Sequence, residues 1–184
     1  MALSSTIFKV DLAINDADRN YYDQKSLTLA RHPSETDERM MLRILIFALL
    51  ASPSLELTKG LSSDEVPDLW EKNLRDEIEL WVDLGQPDEK RIRKACGRSA
   101  RVLVVAYGNK APELWWAQNQ GKLQRFDKLA VWMIAGDVLE ALTAMVARHM
   151  KLVVTVSDSL VWVSDDQQNI ELTPAIWKSW PPAN

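Results

Sequence analysis

The 184-residue chain has one cysteine, Cys96, two histidines, His32 and His149, and only six glycines. A lone cysteine closes no internal disulfide and cannot build a multi-cysteine zinc site. The histidines stand far apart with no His-x-x-x-His pair, which argues against a histidine-built metal centre. The glycines are too scattered for a P-loop, a dinucleotide fingerprint or a serine-hydrolase elbow. The longest apolar run, Ile44 to Ala51, falls far short of the ~18 residues that a membrane helix needs. The start, Met1-Ala2-Leu3-Ser4-Ser5, has no basic stretch followed by an apolar one. The expectation is therefore no secretory signal, no membrane, and a reducing compartment, the cytoplasm. A net charge of −4 gives no general attraction to nucleic acid, so binding of that kind needs a local basic patch.

What is present fits one globular domain. Hydrophobic residues make up 47% and charged residues 26%, enough for a core and too little charge imbalance for disorder. Eight tryptophans are many for this length; most read as core, with interface walls as the alternative. No repeat or low-complexity stretch interrupts the chain.

Alternation and β-branching predict a strand over residues 5–14, a turn at Asn15–Asp18 and a return strand over 20–30. Ser34 reads as the N-cap of a helix, with Asp37 in the capping-box position and Glu35, Asp37 and Glu38 in its first turn. The second half of this helix is apolar nearly all round, and Ser52-Pro53 ends it. Three strands are expected at Leu55–Gly60, Val66–Trp70 and Ile78–Leu84, then a helix from Pro87-Asp88 to about Arg98. Residues Arg101–Tyr107 read as a fully buried strand. A helix led by Pro112, a strand near Lys128–Ile134, a helix near Asp137–Arg148 and a hairpin turning at Asp158-Ser159 follow, with a loose tail from Pro181.

The segment Pro67–Lys94 carries the most chemistry. Alternation puts Ile78, Leu80, Val82 and Leu84 on one strand face and Glu79, Trp81 and Asp83 on the other. Fifteen residues before Asp83, Pro67-Asp68 places a second carboxylate in a short strand. Two carboxylates brought together repel, and a hard cation such as Mg²⁺ compensates them and activates water for attack at phosphorus. The plainer alternative is that both are exposed edge residues. On the next helix Arg91, Lys94 and Arg98 share a face at i, i+3, i+7, a stripe suited to phosphate or simply to solvent. Ile92, Ala95, Cys96 and Ser99 form its packing face. Glu35, Arg39 and Arg43 lie at successive i+4 steps; Arg43 sits among apolar residues and must snorkel or find a partner, and Glu35 or Glu38 can serve as a third acid. His32 reads as a local capping or packing residue, Cys96 as a small apolar group, and Asp165-Asp166 as a turn.

The runs Ser26-Leu27-Thr28-Leu29-Ala30-Arg31-His32-Pro33-Ser34-Glu35-Thr36, Glu38-Arg39-Met40-Met41-Leu42-Arg43 and Asp83 through Cys96 closely resemble the bacterial YaeQ family. So do Trp115-Trp116-x-Gln118-Asn119-Gln120 and Trp162-x-Ser164-Asp165-Asp166, and the resemblance covers essentially all of residues 1–184. It implies a mixed α/β fold of the PD-(D/E)xK, restriction-endonuclease-like kind: a central mixed sheet flanked by helices, with its core over 34–107. A hairpin is added in front and a β-rich extension behind. It assigns Asp68, after Pro67, and Asp83 as the metal-holding acids, with Glu35 or Glu38 as a helix-borne helper. The superfamily's lysine, two residues after the second acid, is replaced by Gly85, and Lys94 or Arg91 from the following helix is the substitute.

Two classes of function follow. One is a Mg²⁺-dependent nuclease or phosphodiesterase in which Asp68 and Asp83 hold metal, Glu35 or Glu38 assists, and Lys94 or Arg91 stabilises phosphate charge. The other retains the fold without the chemistry, as a nucleic-acid-associated or regulatory module, or as a protein-interaction scaffold using surface tryptophans. Gly85 and the acidic net charge favour inactivity, and the acidic charge argues against tight nucleic-acid binding too.

Overall fold

Alternation along residues 6–16 sends Phe8, Val10, Leu12 and Ile14 to one face, where all are buried, and leaves Ile7 48% exposed on the other. That strand, β1 (Thr6–Asp16), pairs residue for residue with β2 (Tyr21–Arg31). The computed structural model describes residues 4–59 and 65–182. Residues 1–3, the expected strand end at Gly60 and the tail residues 183–184 lie outside them. The chain forms two compact units, Met1–Ala51 with Val138–Thr173, and Ser52–Asp137 with Pro174–Asn184.

In the first unit the turn between β1 and β2 sits later than the Asn15–Asp18 expected, at Ala17–Asn20. Asp16 stays in the ladder opposite Tyr21, and its buried carboxylate accepts from the Arg19 amide (2.9 Å) and Nε (2.6 Å), closing the turn from the strand end. Helix α1 (Asp37–Leu50) also starts later than expected. Its N-cap is Thr36, whose side chain accepts from the Arg39 amide, whereas Ser34 bonds His32. Glu35 therefore precedes the helix. Every residue from Met40 to Ala48 is buried, and α1 packs on β1 and on β8 (His149–Ser157).

The sheet of this unit runs β10-β9-β8-β1-β2, with β9 at Leu160–Ser164 and β10 at Asn169–Leu172. Strands β1 and β8 are parallel and the other pairs antiparallel. The front hairpin and the rear extension, expected as separate additions to one central sheet, thus form a sheet of their own. The β8–β9 hairpin turns at Asp158 (φ 52°) and Ser159 (φ 64°), the left-handed pair that a two-residue turn requires. Both amides donate to the Asp18 carboxylate at 2.8 Å.

The second unit holds a six-stranded sheet, ordered β11-β7-β6-β5-β4-β3. Its strands are β3 (Leu55–Leu57), β4 (Leu69–Lys72), β5 (Ile78–Leu84), β6 (Ser99–Gly108), β7 (Leu129–Ala135) and β11 (Ala175–Lys178). The run β3-β4-β5 is antiparallel. Strands β5, β6 and β7 are parallel, linked by α2 (Glu89–Arg98) and α3 (Lys110–Leu123). Strand β4 begins later than the expected Val66 because Pro67 has no N–H to give a ladder. Of the strand expected to be fully buried over Arg101–Tyr107, Val102–Ala106 of β6 are, whereas Arg101 is exposed and Tyr107 half-buried. Trp81, Val102, Val104 and Val131 form a core with Ile92 and Ala95 of α2 and Leu123 of α3.

Helix α4 (Gly136–Thr143) is shorter than the expected Asp137–Arg148. The Thr143 hydroxyl donates to Leu139 O at 2.7 Å, and the next amides tighten to i→i−3 bonds. Only Trp81 of the eight tryptophans is fully buried; the other seven are half-buried, fewer in the deep core than expected. Among the described residues the fold is thus mixed α/β, with two mixed sheets and four helices. No helix of the described residues is long and apolar enough to cross a membrane.

Candidate functional site

Strand pairing brings the two aspartates together. Leu69 opposes Val82, so the preceding Asp68 lies beside Asp83, with its amide donating to Val82 O at 2.9 Å. Asp68 is 4% exposed and Asp83 3%, so neither is the exposed edge residue of the plainer alternative. Both faces of β5 near its end are covered, since Trp81 and Leu84 are buried as well.

Each acid already has partners. Asp68 Oδ2 accepts the Leu84 amide at 2.7 Å. Asp83 is gripped by a bidentate fork, Arg91 Nε to one oxygen and Nη2 to the other, both at 2.8 Å. Arg91 Nη2 also donates to Val66 O at 3.2 Å. Asp88, the N-cap of α2, accepts from the Arg91 amide at 2.8 Å and fixes the helix start that aims this side chain.

The rest of the basic stripe meets the segment before β4. Lys94 bonds the Glu65 carboxylate. Arg98 reaches the same carboxylate at 3.0 Å and Glu65 O at 3.0 Å. The Lys94 hydrogen bond, followed by the charges of Lys94 and Arg98, holds the Glu65 carboxyl below the usual carboxylate range. Arg91 and Arg98 also stand over the Trp81 ring, at 5.9 and 5.5 Å from its centroid. A groove of about 460 Å³ runs beside the helix, lined by Glu65, Asp88, Lys90, Arg91 and Lys94.

The third acid belongs to the first unit. Glu35 is buried and receives Arg43 Nη1 at 3.0 and 3.1 Å and Arg39 Nη1 at 3.1 Å. Arg43 thereby finds the partner that its apolar surroundings demand. Glu38 is exposed in the first turn of α1. Among the described residues, no group of three or more His, Cys, Asp or Glu side chains is arranged to hold a metal ion.

The minor readings fall into place. His32 Nδ1 makes a local contact with Ser34. Cys96 packs against the core around Trp81, and burial pushes its thiol above the ordinary value. Asp165 Oδ1 accepts the Gln167 and Gln168 amides at 2.8 Å, a turn. Sequence reasoning missed Glu65. It sits two residues before Pro67 in no periodic pattern, and only the fold shows that the basic stripe points at it.

The sequence profile described as YaeQ protein matches residues 1–174. The chain belongs to the YaeQ family. The uncharacterised YaeQ protein of Escherichia coli K12 is 44% identical over 178 residues, covering 97% of this chain and 98% of the relative. The uncharacterised YaeQ protein of Salmonella typhi is 42% identical over the same length and coverage. The crystal structure of YaeQ from Xanthomonas axonopodis pv. citri superposes with a TM-score of 0.93 at 44% identity, covering 97% of this chain and 100% of that one. The YaeQ crystal structure from Pseudomonas syringae gives 0.90 at 34% identity, covering 95% and 97%.

Proposed function

We propose that the chain is a nucleic-acid-associated module that keeps a PD-(D/E)xK-like core with its hydrolytic chemistry replaced by an arginine-closed site. The observation that carries this reading is Asp83, both of whose oxygens are held by Arg91 at 2.8 Å. A guanidinium fork takes one in-plane lone pair on each carboxylate oxygen, and its charge opposes a second cation there. With Asp68 Oδ2 turned to the Leu84 amide as well, the two acids as they stand do not fit Mg²⁺, which demands near-ideal octahedral oxygen ligands. Gly85 offers no side chain where the superfamily has lysine, and Lys94 is engaged with Glu65.

The kinship with that superfamily rests on the order β3-β4-β5-α2-β6 and on Asp68 following Pro67. The nucleic-acid part rests on α2. In a chain of net charge −4, this helix gathers Lys90, Arg91, Arg93, Lys94 and Arg98 against the single acid Glu89. That is the local basic patch which binding to phosphate backbones needs.

One observation favours the second reading, a Mg²⁺-dependent nuclease or phosphodiesterase. Asp83 on β5 and Asp68 just ahead of the neighbouring β4 are buried side by side, the placement of the superfamily's acids. The test joins binding to cleavage. Labelled single- and double-stranded DNA and RNA are titrated in chelator across a salt series, then incubated with Mg²⁺ or Mn²⁺. Salt-dependent binding without metal and intact substrates are expected. Cleavage that disappears in Asp83→Ala would overturn the non-catalytic reading, and absence of binding at every salt concentration would remove the nucleic-acid part.

A further inference from the structure

We infer that Glu65 is an internal anion seated on the basic stripe of α2, and that a nucleic-acid strand binds there only by displacing it. The inference rests on the nucleic-acid reading above. Arg91, Lys94 and Arg98 share one helix face, and all three reach the short segment ahead of β4. Lys94 holds the Glu65 carboxylate, Arg98 holds the same carboxylate and Glu65 O, each at 3.0 Å, and Arg91 holds Val66 O at 3.2 Å. The segment thus presents a carboxylate and two carbonyl oxygens in a row, the pattern of acceptors that a phosphate backbone offers to a basic helix.

The seat is exchangeable. The Glu65 side chain is 64% exposed, and its cations Lys94 and Arg98 are 37% and 41% exposed. Ion pairs this open are held weakly and compete with solvent and other anions. The groove bordered by Glu65, Lys90, Arg91 and Lys94, with the N-cap Asp88 also on its wall, gives a strand its approach. The one acid of α2, Glu89, is occupied by Arg93 at 2.7 Å and by Arg125, and Arg91 is held by Asp83, so Glu65 is the carboxylate that neutralises Lys94 and Arg98. While it does so, Lys94 and Arg98 are withheld from phosphate contacts.

The experiment measures anisotropy of a fluorescein-labelled single-stranded oligodeoxynucleotide, in chelator, over a salt series, with wild type, Glu65→Gln, Glu65→Gln/Lys94→Ala/Arg98→Ala and the exposed-charge control Asp166→Asn. Glu65→Gln is expected to bind about tenfold more tightly at low salt. Its log–log salt slope should match that of wild type, because Lys94 and Arg98 reach phosphate in both bound states; losing both contacts in the triple variant should flatten the slope by roughly 1.4, about 0.7 for each on a single strand. The triple variant loses this gain and the control shows none. Equal affinity for wild type and Glu65→Gln overturns the inference and leaves the binding module standing. An equal gain in Asp166→Asn also overturns it, because net charge is then the cause. If wild type and Glu65→Gln both fail to bind, the inference and the reading beneath it fall together.

Discussion

Each unit buries a carboxylate against arginine, but the arginines differ in exposure. In the first, Glu35 is 1% exposed between Arg43 at 4% and Arg39 at 12%. In the second, the Asp83 side chain is nearly as buried at 4%, yet the Arg91 side chain reaches solvent at 23% and borders a groove. A charge sealed on every side has no partner except the one folding gives it, so the Glu35 cluster works as a lock. A guanidinium with one side in water can change partners at a smaller cost. The exposed Glu65 pair extends the same series to its weak end. Exposure of the cation, more than burial of the acid, separates an architectural ion pair from one open to ligand.

The sharpest way to break this comparison is Glu35→Ala. It leaves Arg43 buried without its carboxylate and should cost about 3–5 kcal/mol, read as a lower midpoint of urea unfolding. A loss under about 1 kcal/mol would show that the cluster is no lock. Next comes Arg91→Ala, expected to cost about 2–3 kcal/mol because water can enter where the guanidinium stood and solvate Asp83. A loss as large as that of Glu35→Ala would erase the difference between the units. The smallest effect concerns Glu65. Its lowered carboxyl contributes stability above the ordinary carboxylate range, and the contribution is lost as pH falls through the lowered value. In Lys94→Ala the carboxyl should return towards the ordinary range, followed by carbon NMR titration; an unmoved titration would deny the pair.

Much of this was legible from residue order. Pro87-Asp88 marked the start of α2, because an aspartate that accepts the Arg91 amide is a local device. The five-residue run Val102–Ala106 announced a strand covered on both faces. Asp68 and Asp83 were legible as a pair because Asp83 interrupts a β-forming stretch and Asp68, after Pro67, opens the neighbouring one. Sheet membership was not. Nothing local in His149–Ser157 says that it pairs in parallel with Lys9–Asp16, and β10 and β11, of four residues each, take their strand character from their neighbours β9 and β7. The cap of α1 was misplaced because Ser34 and Thr36 are both good caps by type, and His32 decides between them by engaging Ser34. The partners of the basic stripe were hidden because Glu65 meets Lys94 across 29 residues of chain.

The parallel pairing of β1 with β8 also sets an order of events. Arg148 donates to Ile7 O, 141 residues away in sequence, and the whole stretch Ser52–Asp137 lies between the two halves of the first unit. Closing so long a loop is slow, whereas the second unit needs mostly nearer neighbours. On a ribosome the opening hairpin and α1 emerge early and wait, their apolar faces without a sheet to cover, until β8 follows. The hairpin β1–β2 and α1 therefore wait longest for the rest of their sheet, and they are the part of the newborn chain most in need of protection.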